Sequence, residues 1–324
     1  MLGFLILSHN NPAQLQRLTS TLRHLYDDAP IAVHHDFHQT ELDRRDFSGV
    51  HFVEQPVRTD WGKWSLVEGT LIALRLLYET ADPDWFMLLS ESDYPIAQPQ
   101  DVLADLATSS ADALMDYREI PYRGKVTPVP GTSPCHAQHG NSKNTVTARN
   151  RYLKAIVKIP IIRTAPGNQR MTPGFRPRLG AYTTPVPFPS PFSPYSDDFR
   201  CYVGSQWFTA RREVARFLLE PSERAEKLAR HLRKRVVPDE TYFQTLIVNE
   251  DRFTVDPDPR RYTDWGEGGW GPKTMKDHRL EDATRMGMHF ARKFEPGSPL
   301  LDRIDERLVP ISASELEGAK RDAG

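Results

Sequence analysis

Apolar residues along this chain recur in two alternating rhythms, and the alternation predicts the fold class. Residues 3–7 form a short unbroken apolar run that ends in the polar loop Ser8-His9-Asn10, as a parallel strand buried on both faces would. Residues 13–25 then place apolar side chains at helical spacing. A second short run covers 31–33 and ends at His34-His35-Asp36. Residues 65–78 carry Leu66, Val67, Leu71, Leu74 and Leu77 at threes and fours, the pattern of an amphipathic helix. Residues 85–89 make the next strand, closed by Ser90-Glu91-Ser92-Asp93-Tyr94-Pro95, whose Asp-Tyr-Pro favours turn geometry. Further strands are predicted at 113–115 and 207–209, and further helices at 212–219 and 240–249. The rhythm implies an α/β protein with a mostly parallel central sheet flanked by helices. The three polar strand tails would share one edge of that sheet, the edge where such folds bind ligands.

Charge changes the picture once the chain is divided. The total is −1, which removes the electrostatic footprint of a nucleic-acid binder. Residues 1–120 hold 8 basic and 19 acidic side chains, residues 121–200 hold 12 basic and 2 acidic, and the remainder holds 22 of each. The middle segment also carries 13 of the 27 prolines and is expected to be a basic Pro-rich insertion with few regular elements, one helix over 150–162 excepted. Two cysteines, Cys135 and Cys201, are too few for a disulfide framework. No run of about 18 apolar residues appears, so the expected setting is the cytoplasm, at most peripheral to a membrane.

Several residue groups invite chemistry, each with a plainer alternative. Glu91 and Asp93, two apart after a strand, suit either a divalent cation or a simple turn. His34, His35 and His38 with Asp36 suggest a transition metal, although adjacent strand residues point to opposite faces. Pro238-Asp239-Glu240 opens a helix, where acids are favoured by the helix dipole and where a carboxylate in a cleft also serves as a general base. Arg292-Lys293 between aromatics is either a solvated basic turn or a pair of cations for a diphosphate leaving group. No G-x-G-x-x-G follows the first strand and no P-loop occurs, so dinucleotide and P-loop chemistry lose support.

Eight segments in order resemble one family. They are Phe4-Leu5-Ile6-Leu7-Ser8-His9, Val33-His34-His35-Asp36, Trp61-Gly62 with Ser65-Leu66-Val67, and Leu88-Leu89-Ser90-Glu91-Ser92-Asp93-Tyr94-Pro95-Ile96. The others are Gly204-Ser205-Gln206-Trp207-Phe208, Pro238-Asp239-Glu240, Arg261-Tyr262-Thr263-Asp264-Trp265 and Phe290-Ala291-Arg292-Lys293-Phe294. Together they resemble the core-2/I-branching β-1,6-N-acetylglucosaminyltransferases, with the peptide O-xylosyltransferases, in a bacterial-type member.

The resemblance implies a GT-A type nucleotide-sugar fold and an inverting transfer from a UDP-sugar, with UDP-GlcNAc or UDP-xylose expected and no metal or other cofactor. It implies Glu240 as the base, and Lys293 with Arg292 and Lys273 on the UDP diphosphate. Asp36, Ser8 and His9 are implied near the uridine. Asp116 and Trp265 are implied at the acceptor, with Trp207, Glu91 and Asp93 grouped there too. A single domain is expected over 1–310, with 121–200, which the family does not specify, as either a lip on the acceptor side or a solvated loop, and 311–324 as a C-terminal tail. The partners implied are the UDP-sugar donor and a glycan, glycolipid or other hydroxyl-bearing acceptor, with an anionic one favoured by the basic lip; neither nucleic acid nor a membrane-spanning segment is expected. The competing readings are a metal-dependent transferase or hydrolase using Glu91 and Asp93, and a non-catalytic carbohydrate-binding module.

Overall fold

A computed structural model describes residues 1–121, 193–266 and 271–308 in full, and the backbone of 154–163 and 178–189. The elements run β1 (Leu2–Ser8), α1 (Pro12–Leu25), β2 (Ile31–His35), β3 (Val50–Phe52), α2 (Ser65–Thr80), β4 (Trp85–Ser90), β5 (Asp93–Pro95), α3 (Pro99–Thr108), β6 (Ala113–Leu114) and β7 (Arg118–Glu119). They continue with β8 (Lys154–Arg163), β9 (Arg178–Pro189), β10 (Tyr202–Val203), β11 (Thr209–Arg211), α4 (Arg212–Leu219), α5 (Glu223–Leu232), α6 (Tyr242–Val248), β12 (Val255–Asp256), β13 (Arg261–Thr263), α7 (Asp277–Arg285), β14 (Phe290–Arg292) and α8 (Pro299–Leu308).

The central sheet has seven strands in the order β12-β6-β11-β4-β1-β2-β3, parallel throughout except that β11 runs antiparallel to both neighbours. Strand alternation sends its apolar side chains to two cores. Phe4, Ile6, Val33, Met87 and Leu89 pack with Leu15, Leu18 and Leu22 of α1 and with Leu301 and Ile304 of α8. Leu5, Leu7, Phe86 and Leu88 face the other way, against Val67, Leu74 and Leu77 of α2 and against α4 to α6. The result is a helix–sheet–helix sandwich, as the alternating rhythm implies.

Two expectations fail, one because of a long-range strand pairing and one because of local sequence. Residues 93–95 are a strand rather than a turn, because β5 pairs antiparallel with β14, which in turn pairs parallel with β13. Tyr94 is fully buried, and its hydroxyl donates to Asp305 Oδ1 at 2.7 Å, tying the strand to α8. The helix expected over 150–162 is instead β8, paired antiparallel with β9, while 150–153 lie outside the described residues. Ile156, Val157, Ile159, Ile161 and Ile162 are β-branched, and Pro160 would cost a helix interior about 3 kcal/mol. Pro185, Pro187 and Pro189 in β9 are spaced by two, so their missing donors fall on one side of the strand, as suits a ladder that among the described residues has two strands. The rest of 122–192 and the tail expected at 311–324 lie outside the described residues.

Phe208, fully buried, packs edge-to-face on Phe86 and tilted against Phe243, at ring distances of 5.6 and 5.5 Å. Phe208→Ala is expected to cost about 3–5 kcal/mol, read as a fall in the chemical-denaturation midpoint with an unchanged slope.

Candidate active site

The carboxyl ends of β1, β2 and β4 stand level, since Ser8 pairs with His35 and Leu7 with Ser90. The small sheet β13-β14-β5 rises at that edge, with Arg292 in register with Asp93 on one side and Thr263 on the other. Lys293 follows directly, and Phe294 is clamped by its N–H donating to the Ser92 carbonyl at 2.9 Å. A second wall is built from the β7–β10 pair and the single-turn helix Pro238–Glu240. There the Gly204 N–H donates to the Glu240 carbonyl at 2.9 Å, the Ser205 N–H to Asp116 Oδ2 at 3.1 Å, and Gln244 Nε2 to the Ser205 carbonyl at 2.7 Å. Gly204 is required: a Cβ there would lie 1.8 Å from the Asp116 carbonyl oxygen.

Between the walls lies a cleft of about 450 Å³, a size ordinary for a small-molecule site. It brings together Glu240, Asp116, Trp207, Trp265, Glu91, His9, Arg292 and Lys293. Val237, just before the turn that carries Glu240, has φ +57° and ψ +53°, a left-handed conformation that a β-branched residue adopts only under constraint. Its N–H donates to the carbonyl of Gly62 at 2.9 Å, and Gly62 itself has φ +69°. The loop carrying Trp61 thus braces the turn that presents Glu240. Trp265 is held by an Asp turn in which Gly266 N–H donates to Asp264 Oδ1 at 2.8 Å.

Four residues grouped with the site stand behind or beside it. Ser8 is buried, with its hydroxyl 3.0 Å from His35 Nδ1. Asp36 is fully buried; burial opposes its ionisation, yet hydrogen bonds from Gln39, Thr59 and the His38 N–H outweigh this and hold its carboxyl far below the usual range. It organises the loop after β2 instead of facing the cleft. Lys273 is exposed beside the cleft, its backbone N–H donating to the Asp264 carbonyl at 2.6 Å. Asp93 is fully buried: one oxygen accepts the Ser90 hydroxyl at 2.9 Å, and the other faces Arg261 Nη1 at 3.6 Å and Arg292 Nε at 3.8 Å. It therefore supports the wall and does not reach an acceptor. His34 and His35 diverge as strand alternation requires, one accepting from the Val57 N–H and the other lying between Ser8 and the Thr40 carbonyl.

The electrostatics divide the cleft. Arg292 lies 4.2 Å over the Trp207 ring, and burial lowers its pKa, so the guanidinium is poorly hydrated and its interactions are strong. Burial pushes Glu91 up to about 7; nearby Asp93 adds to this, while Arg292 and Lys293 act against it. His9, 3.3 Å from Glu91, is lowered by burial and by Lys293. Burial, with the charge of Glu240, pushes Asp239 up to about 8. Asp239 is thereby biased toward its neutral form beside Glu240, while the cations stand on the other wall. Sequence reasoning quoted Trp61, 75% exposed in the cleft lining, and Asp239 within motifs without giving either a role at the site, and did not single out Arg118 in the lining. The signal for Trp61 was a tryptophan in a polar loop that no apolar face requires.

Asp239 binds its proton up to about pH 8 when folded and only to about pH 4 when unfolded. The unfolded state therefore binds fewer protons between these values, and stability from this group falls as pH rises through the window. Relative to Asp239→Asn, the wild type is expected to lose melting temperature steadily from about pH 5 to about pH 8; parallel melting curves at all pH values would refute a protonated Asp239.

Residues 2–289 match the model of the Core-2/I-Branching enzyme family. The chain is also 24% identical over 275 residues to Beta-glucuronosyltransferase GlcAT14A of Arabidopsis thaliana, an alignment covering 82% of this chain and 52% of that protein. The chain thus spans about half the length of this curated relative. Among the described residues no helix is long and apolar enough to cross a membrane. The family match covers most of the chain, including the central sheet and the wall that carries Glu240, and stops just short of β14 and Lys293; the chain belongs to the Core-2/I-branching enzyme family of glycosyltransferases.

Proposed function

We propose that the protein is an inverting, metal-independent glycosyltransferase that moves a sugar from a UDP-sugar to an acceptor hydroxyl and forms a β-glycoside. The observation that carries the reading is that Glu240 shares one cleft with Arg292 and Lys293. Glu240 takes the proton of the acceptor hydroxyl as its oxygen attacks the anomeric carbon from the face opposite UDP. The bond to the diphosphate breaks in the same displacement, so an α-linked donor gives a β-linked product. Charge developing on the departing UDP is met by Lys293 and by Arg292, which is already oriented by Trp207 and Asp93. Trp61, Trp265 and Asp116 flank the route to Glu240 and suit a sugar acceptor, through ring faces and a carboxylate. A metal held jointly by Glu91 and Asp93 is disfavoured, because the Asp93 oxygens are engaged by Ser90 and two arginines. The resemblance favours GlcNAc or xylose as the sugar moved. The glucuronic acid in the name of the plant relative makes a third candidate. An acceptor drawn by the basic segment 121–200 would be anionic.

Glu240→Gln is expected to abolish acceptor-dependent UDP release, a loss of about 10²-fold or more, while UDP still raises the melting temperature. Turnover near the wild-type rate would remove Glu240 as the base. Lys293→Ala is expected to lower the rate by about 10²-fold or more and to weaken UDP binding, measured by calorimetry. Release of UDP should need an acceptor and persist in EDTA; release without acceptor would mark a hydrolase, and its loss in EDTA a metal enzyme.

A further inference from the structure

Glu91 stands at the carboxyl end of β4, the middle strand of the seven. It is 2% exposed yet forms part of the cleft lining. One carboxyl oxygen lies 3.3 Å from His9 Nδ1, and the other, Oε2, is buried with no hydrogen-bond partner. A buried acceptor without a donor is costly, and a ligand hydroxyl is the group that would relieve it. The local charge sharpens the point. Arg261, Arg292 and Lys293 are the cations here, Asp93 and Glu91 the carboxylates, and His9 is biased toward neutrality. A bound diphosphate brings two negative charges, which already leave this corner one negative charge in excess. Among the described residues the other cation in the cleft lining, Arg118, belongs to the opposite wall, and Lys273 stands exposed beside the cleft.

We infer that Glu91 sets the donor class: it accepts a hydroxyl of an uncharged UDP-sugar and excludes UDP-hexuronates, whose carboxylate would meet a buried carboxylate of the same sign. This rests on the UDP-sugar reading above and decides among its candidate sugars. Exclusion works through both halves of specificity, since the neutral sugar supplies the missing donor and the hexuronate supplies repulsion. A single like-charge pair several ångströms apart in partly buried surroundings is worth about tenfold or more in affinity.

UDP-glucose and UDP-glucuronate form the matched pair, differing only in CH₂OH against COO⁻ at C6. Calorimetric affinities would be measured for UDP and both sugars on the whole chain at about pH 8, where a carboxyl raised to about 7 is mostly ionised. The wild type is expected to bind UDP-glucuronate about tenfold or more weakly than UDP-glucose. Glu91→Gln should narrow that ratio at least threefold, and Glu91→Ala gives an independent measure if the glutamine variant folds poorly. Equal wild-type affinities, preference for UDP-glucuronate, or a ratio that neither variant changes would overturn the assignment. Absence of any UDP binding would instead overturn the donor reading on which it stands, and the UDP titration tells the two failures apart.

Discussion

One buried carboxylate holds the cleft in shape. Asp93 sits at the seam between the central sheet and the three-stranded sheet beside it, and Arg261 and Arg292 both face its Oδ1 while Ser90 engages its Oδ2. All three ionic groups are nearly or wholly withdrawn from water. Such a cluster adds little net stability compared with apolar packing, but removing one member strands a buried charge at a cost of about 3–5 kcal/mol. It acts as a register pin. With Asp93 opposite Arg292 across β5 and β14, the guanidinium of Arg292 lies over Trp207 and the following Lys293 lines the cleft.

The other wall is held by strain and close contact in place of charge. Val237 is kept in a left-handed conformation by the Gly62 carbonyl, and Gly204 fits against the Asp116 carbonyl where any side chain would collide. These constraints fix the backbone on both sides of Glu240 and so the place from which its side chain leaves the main chain. The neighbouring Asp239 is buried, and desolvation together with the charge of Glu240 biases it toward its neutral form.

The contrast between Glu91 and Asp93 shows the same logic at two residues' separation. Both follow the same strand, and both carry a carboxylate. Asp93 meets two arginines that arrive from residues 261 and 292, far along the chain, and becomes structural. Glu91 has His9 beside one oxygen and lines the cleft; its Oε2, like Asp93 Oδ1, has no hydrogen-bond partner among the described residues, but no arginine lies within ion-pair distance of it there. Their separate fates depend on which distant strands pair with β5, a pairing that local spacing does not reveal.

Much of the α/β plan was legible because burial on both faces writes itself as unbroken apolar strands, and one-sided burial as helical periodicity. That pattern alone places Ser8, His35 and Ser90 at one sheet edge, and with it the neighbourhood of the site. The ordered motifs supplied Glu240, Arg292 and Lys293. The strand at 154–163 was misread because a short apolar stretch fits either element by spacing, although Pro160 and its β-branched neighbours already pointed to strand. The burial of Ser8, Asp36 and Asp93 away from the cleft, the brace from the Trp61 loop, and the neutrality of Asp239 belong to the tertiary structure. Each depends on contacts between segments tens to hundreds of residues apart, and desolvation and charge pairing are properties of those surroundings rather than of the residues themselves.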